Sequence, residues 1–297
     1  MSELTFDPAE RGAAANGISD GGIIAGEEIG GSSGLQAGFW TVTGGAILFS
    51  GGSQGNDWAV AANDGGTIVG DFGASGAPGN VALMWTAPGY AETALPGLRC
   101  DFCLRVNIAV NAINKGGAAV GHSSYAVYDS SGGLVGNGLL AVEWQSDAVT
   151  SLGSLQHSGT SDAYGINDGG DIVGGSRISP AAGAPTHAFL YHGELMVDLG
   201  TLPGDTNSSA NAINDAGQVV GSSDDGNTTH AFLYEDGQMH DLNTLVDPQS
   251  PLAGQVTLEA AASISSNGWI AVNGKDSRDT GLNAGSTRAF LLIPQTP

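Results

Sequence analysis

Glu27, Asp71, Asp162 and Glu259, together with His122, are the side chains of this sequence whose types suit acid–base chemistry. Two carboxylates converging within about 5–10 Å around a sugar would act on a glycosidic bond as acid and base, or as acid and nucleophile. The imidazole would serve as a further base. The same oxygens would suit a divalent cation such as calcium, which takes oxygen ligands. A second group, Asp57, Trp58, Tyr125, Tyr128, Arg177, Lys275 and Asp276, suits binding more than bond breaking. Its aromatic rings offer flat apolar surface. Its cations stand out in a chain with only 8 Lys and Arg, and they would receive a carboxylate or sulfate. What sets both groups apart is that they interrupt a repeat.

The repeat is the phrase Ala-Ile-Asn-Asp-Ala-Gly-Gln-Val-Val-Gly from Ala212 to Gly221, which returns as Gly-Ile-Asn-Asp-Gly-Gly-Asp-Ile-Val-Gly from Gly165 to Gly174. Looser copies centre on Ile18, Ala62, Ile113 and Ile264, so the anchors fall 44, 51, 53, 47 and 51 residues apart. A short apolar phrase follows each copy, as in Leu83-Met84-Trp85 and Ala231-Phe232-Leu233-Tyr234. That period with an aromatic landmark predicts four short strands per copy and a β-propeller. In the fifth copy the strands are expected at 210–214, 218–222, 230–234 and 238–242, with Asp-Gly-type turns between them. No segment keeps a helical period over a helix length, and 49 glycines oppose long helices.

The expected fold is an all-β, six-bladed β-propeller with four-stranded blades, forming one domain over 1–297. The blades fall at about 12–50, 57–96, 107–153, 161–202, 208–245 and 258–293. The last copy stops after a third strand, and its tail Pro294-Gln295-Thr296-Pro297 is unsuited to a fourth. Residues 2–6 are expected to complete that blade and close the ring. Leu4 precedes Ile18 by 14 residues, as Leu152 precedes Ile166 and Leu199 precedes Ile213.

Within the frame, Asp20, Asp64, Asp168 and Asp215 occupy the turn after the first strand and read as turn residues. Asn63, Asn114, Asn167 and Asn214, with His187 and His230, also recur and read as structural. Trp40, Trp85, Trp144, Tyr191 and Tyr234 are expected to pack between sheets. The interrupting residues fall after the second strand or in the links between blades. In a propeller those segments share one face around the channel mouth. Ser123 to Leu139, carrying Tyr125 and Tyr128, is expected as a long loop there.

Other signals exclude more than they assign. The net charge of −22 disfavours nucleic acid and anionic membranes, and no apolar run reaches the length of a membrane-spanning helix. Met1-Ser2-Glu3 leads directly into the closing strand, so an export signal is expected to be missing from this sequence. Cys100-Asp101-Phe102-Cys103 lacks the further ligands of a zinc site and the helix N-terminus of a redox dithiol; a small disulfide between Cys100 and Cys103 is expected. Gly51-Gly52-Ser53-Gln54-Gly55 matches G-x-S-x-G without the strand-to-helix context of a nucleophile elbow.

His230-Ala231-Phe232-Leu233-Tyr234 with Asp241-Leu242, and Asp198-Leu199-Gly200-Thr201-Leu202 followed by Ala212-Ile213-Asn214, resemble the HAF-repeat family of bacterial extracellular proteins. Blades four and five match closely; the others keep the glycine and aromatic skeleton but lose the His. The resemblance implies export from a bacterium and brings no catalytic residues with it. The expectation is a secreted, monomeric binding module that holds an extracellular ligand, a polysaccharide, at the channel mouth. The alternatives are a hydrolase or lyase working on an extracellular polymer with mouth carboxylates and a His, and a structural scaffold.

Overall fold

The computed structural model describes residues 13–30, 34–41, 44–48, 56–73, 80–98, 107–128, 133–157, 159–279 and 285–295. The chain forms two compact units, residues 1–152 and 153–297. The first holds three antiparallel sheets: Ala13–Ile18, Ile23–Gly30, Gly34–Thr41 and Gly44–Leu48; Asn56–Ala62, Thr67–Gly73, Asn80–Thr86 and Ala91–Ala94; Ile108–Ile113, Ala119–Tyr128, Leu134–Gln145 and Ala148–Gly153. The second holds Ser161–Ile166, Ile172–Arg177, Thr186–His192 and Leu195–Gly200; Asn207–Ile213, Val219–Asp224, Thr229–Glu235 and Gln238–Asp241; and a three-stranded sheet of Val256–Ile264, Ile270–Asp276 and Thr287–Leu292. Every sheet is a meander whose sequence neighbours are hydrogen-bonded neighbours. The fold is all-β, with six β-propeller blades of three or four antiparallel strands.

A single backbone device recurs in all six blades. The first strand carries one extra residue opposite the second, at Asn16, Val60, Asn111, Tyr164, Asn211 and Glu259 in turn. Such a bulge twists the pair and re-aims the inserted side chain. The second strand meets each bulge with a glycine: Gly26, Gly70, Gly121, Gly174, Gly221 and Gly274. A Cβ on any of these would lie between 1.9 and 2.2 Å from a first-strand carbonyl oxygen, those of Ala14, Trp58, Ala109, Asp162, Ser209 and Thr257. The Val-Gly of the repeated phrase is therefore a demand for close backbone approach.

The turn after the first strand explains the Asn. In blade four the Asn167 Oδ1 accepts from the Asp171 N–H at 2.8 Å, which closes the turn, while its Nδ2 donates to the Asn214 carbonyl of blade five at 3.2 Å. Asn214 repeats both bonds, to the Gln218 N–H at 3.0 Å and the Ser265 carbonyl at 3.1 Å. In the first unit, Asn63 does the same with the Thr67 N–H and the Asn114 carbonyl. One amide thus fixes a turn and ties it to the next blade. The turn Asp residues add a second tie. The Asp215 Oδ1 accepts from the Asp168 N–H at 2.9 Å, and the Asp64 Oδ1 from the Gly21 N–H at 2.5 Å. The Gly21 bond, then the Ser19 hydroxyl, hold the Asp64 carboxyl below its ordinary range.

The apolar core lies between successive blades. Phe39 and Ala25 of blade one meet Ile68 and Trp85 of blade two, and Val69 and Leu95 meet Val110 and Trp144 of blade three. In the second unit Val173 and Leu199 meet Phe232, and Val220 and Leu242 meet Leu258 and Val272. Trp40, Trp85 and Trp144 are buried as expected, but Tyr191 and Tyr234 are only half-buried. Phe189 and Phe232 are fully buried instead. The register gives the reason: they stand directly opposite Gly174 and Gly221. The equivalent residues in the first unit, Gly38, Leu83 and Val142, are smaller and leave the space to a Trp two residues on.

Two expected elements differ. Residues 123–139 are largely paired strand: Ser124 stands opposite Leu139, Tyr125 opposite Gly138 and Ala126 opposite Asn137, so the insertion lengthens a hairpin. Tyr125, Val127 and Tyr128, with Val135 on the partner strand, favour a ladder there over an irregular loop. The fourth strand of blade five ends at Asp241, whose carboxylate accepts from the Asn243 N–H and caps the short helix Leu242–Leu245. Residues 2–6, Cys100 and Cys103 lie outside the described residues.

The Asn clamp predicts a pH-dependent lesion. Asn214→Asp keeps an acceptor for the Gln218 N–H but turns a carboxylate oxygen toward the Ser265 carbonyl. At neutral pH the variant is expected to lose about 1–3 kcal/mol, the cost of a broken buried hydrogen bond. The burial raises the new carboxyl's folded-state pKa, so stability should partly return as pH falls and a protonated carboxyl donates to Ser265. Urea midpoints measured from pH 7 to pH 4 test this; a deficit that does not shrink on acidification contradicts it.

Candidate functional site

The bulge row and the residue after each key glycine form the variable rows of the two units. In the first unit the position after the glycine holds Glu27, Asp71 and His122; in the second it holds Gly175, Ser222 and Lys275. These are the positions where a fixed backbone presents different chemistry blade by blade.

In the first unit the Asn16 amide donates to Glu27 Oε2 at 2.5 Å and to the Ala59 carbonyl of blade two at 2.9 Å. Asp71 is buried at 5% exposure, and its Oδ1 accepts from the Val110 N–H of blade three at 3.1 Å. Asp57 is equally buried, and burial, reinforced by Glu92, pushes its carboxyl up. Trp58 stands opposite Asp71, with its ring over Gly73, where a Cβ would come within 3.3 Å of it. His122 and Tyr125 are half-buried on the second strand of blade three; Tyr128 ends that strand, opposite Leu134. Burial also raises the carboxyl of Glu143, on the adjoining strand.

In the second unit Glu259 Oε1 and Lys275 Nζ pair at 2.5 Å. Asp276 is gripped by the Arg278 guanidinium at 2.5 and 2.8 Å and by the Arg278 N–H at 2.9 Å, which hold its carboxyl down to about 2. Arg288 is bound to Asp279 in the same way. Arg177 ends the second strand of blade four, opposite Thr186, and forms no ion pair among the described residues. Asp162 accepts from the Tyr164 phenol; burial first, then the Asp162 charge and this bond, push the phenol up to about 12. His187 and His230 face Asp198 at 2.9 Å and Asp205 at 3.5 Å, within the blade frame.

The structure thus brings Trp58 together with Asp71, and Glu259 together with Lys275. It gives Asp71 and Asp276 strong local partners. Among the described residues, no group of three or more His, Cys, Asp or Glu converges to hold a metal ion. Sequence reasoning missed the bulge residues Asn16, Asn111, Tyr164 and Asn211. Their signal was present: they are the variable letter between two small residues, as in Ala163-Tyr164-Gly165 and Ala210-Asn211-Ala212.

Six blades with recurring turn and clamp residues and variable bulge rows define a propeller whose frame is generic and whose variable rows are particular to each unit. Residues 106–271 match the family described as protein of unknown function (DUF3466), and the chain belongs to that family. No curated protein matches the sequence. Among solved structures, the β-propeller domain of the Trilobed protease from Pyrococcus furiosus overlaps with a TM-score of 0.40 at 8% identity, covering 94% of each chain. A gluconolactonase of Xanthomonas campestris overlaps at 0.39 and 14% identity, over 80% of this chain and 75% of that one. The acylaminoacyl peptidase of Pyrococcus horikoshii overlaps at 0.42 and 10% identity, over 96% of this chain and 52% of that one. Overlaps this loose carry no functional information.

The burial of Asp71 makes its substitution a test of stability. Asp71→Ala leaves the Val110 N–H unsatisfied in the interior and should cost about 1–3 kcal/mol. Asp71→Asn, which can keep the acceptor, should cost clearly less. Denaturant titration of both variants decides the matter; an Ala variant as stable as the parent would show that the bond holds nothing.

Proposed function

We propose that this protein is a secreted bacterial binding module that holds a polysaccharide on its variable face. The observation that favours it is that the candidate carboxylates already have close partners. Asp71 receives Val110, Glu259 pairs with Lys275, Glu27 receives Asn16, and Asp162 receives Tyr164. A hydrolase or lyase would need two ionisable groups free to exchange protons with substrate. A binding face needs only a rigid frame with varied polar and aromatic groups, as the bulge row provides. Export and the extracellular setting rest on the HAF-repeat resemblance. The test is affinity electrophoresis through gels containing laminarin, dextran or xylan, run beside an assay for newly released reducing ends. Retardation without release is expected; release of reducing ends would move the protein to the hydrolase reading.

We further propose that residues 2–6 complete the sixth blade as its fourth strand. Among the described residues its third strand, Thr287–Leu292, has no strand beside its outer edge. Leu291 and Ile293 are more than half exposed. In blades four and five the chain after the third strand supplies Leu199 and Leu242, both buried against the following blade, and the 14-residue spacing puts Leu4 at the Leu199 position. An uncovered apolar strand edge also invites aggregation. A chain beginning at Asp7 should therefore melt many degrees lower or aggregate, and Leu4→Asp should reproduce much of the loss. A truncated chain that melts with the parent would refute the closure.

A further inference from the structure

Tyr164 is the inserted residue of its bulge, and it is the only aromatic in the bulge row, beside Asn16, Val60, Asn111, Asn211 and Glu259. Its neighbour on the second strand is Gly175, where the other five blades carry Glu27, Asp71, His122, Ser222 and Lys275. A Cβ on Gly175 would lie 3.2 Å from Thr186 Cγ2, 3.6 Å from Ser209 Oγ and 3.7 Å from Tyr164 Cε2, so the ring packs beside a buried glycine where every other blade places a side chain. Gly175 has no positive φ to explain it. A longer side chain there would press on the ring and on Thr186, and Tyr164 stays 36% exposed. Asp162, two residues away, lies within hydrogen-bonding reach of the phenol.

We propose that Tyr164, the exposed aromatic of the bulge row lying beside Gly175, is a stacking platform for one residue of a neutral glycan. This subsite rests on the binding-module reading above. An aromatic ring presents a flat apolar face with a polar tip, which suits a sugar whose ring C–H groups are apolar and whose edge is polar. The surrounding charge selects for neutrality. The chain carries −22 overall, Asp162 lies beside the ring and Lys275 is neutralised by Glu259; Arg177, two residues beyond Gly175, is a single cation against that balance, so an anionic glycan would be repelled.

Affinity electrophoresis with laminarin, dextran, xylan and anionic alginate tests the proposal on the parent and three variants. The parent should be slowed by at least one neutral polymer and not by alginate. Tyr164→Ala should weaken that binding by about tenfold or more, the loss typical of truncating an aromatic anchor. Gly175→Gln should weaken it similarly by covering the platform. Tyr164→Phe, which keeps the ring, should retain most of it. Melting curves confirm that each variant is folded. If a neutral polymer slows the parent, Tyr164→Ala and Gly175→Gln alike, the platform is wrong and the binding module stands. Retardation by alginate alone overturns the neutral class, and retardation by none of the four overturns both readings.

Discussion

The contact on which the rest depends is the approach of a first-strand carbonyl to the Cα of a second-strand glycine, closer than any side chain would permit. It occurs once per blade, from Gly26 against Ala14 to Gly274 against Thr257. The bulge beside it puts an extra residue into the first strand, and the glycine leaves it room. Opposite the glycine, the third strand can then lay Phe189 or Phe232 across the space, or make way for Trp40, Trp85 or Trp144 two residues on. Interior packing at close to crystal density leaves little tolerance at such a point.

From this contact the architecture spreads in two directions. Toward the neighbouring blade, apolar faces meet and Asn63, Asn167 and Asn214 bond turn to turn, so blades two and three, and four, five and six, are tied by amides as well as by burial of apolar area. Toward the variable face, the bulge presents one residue per blade from a backbone that does not otherwise change. The frame and the face are therefore coupled. The residue type at the bulge varies because its backbone is fixed by groups other than its own side chain.

Much of this was legible in the sequence. The Asn and Asp of the repeated phrase read as turn residues, and they are, with the addition of inter-blade bonds that only spatial neighbours could reveal. The glycine of Val-Gly was visible as a constant but not as a contact, since its meaning depends on a carbonyl a dozen residues earlier. Asp71 looked like an exposed carboxylate because its frame position holds Glu27 and His122 in neighbouring blades; its partner, the Val110 N–H, lies 39 residues on. The hairpin within 123–139 was hidden because its glycines suggested a loop, whereas Gly136 and Gly138 pair as strand residues. Tyr164 varies between the small residues Ala163 and Gly165, but that it is the inserted residue of a bulge is a matter of register and shows only in the strand pairing.

The most direct test is to place alanine, one position at a time, at Gly26, Gly70, Gly121, Gly174, Gly221 and Gly274 and to measure the guanidinium midpoint of each variant. All six should be strongly destabilised, by about 3 kcal/mol or more where the backbone cannot move aside, placing them among the exceptional substitutions. Alanine at Gly175, the next residue along in blade four, should cost far less. Tolerance of alanine at most of the six would contradict the account.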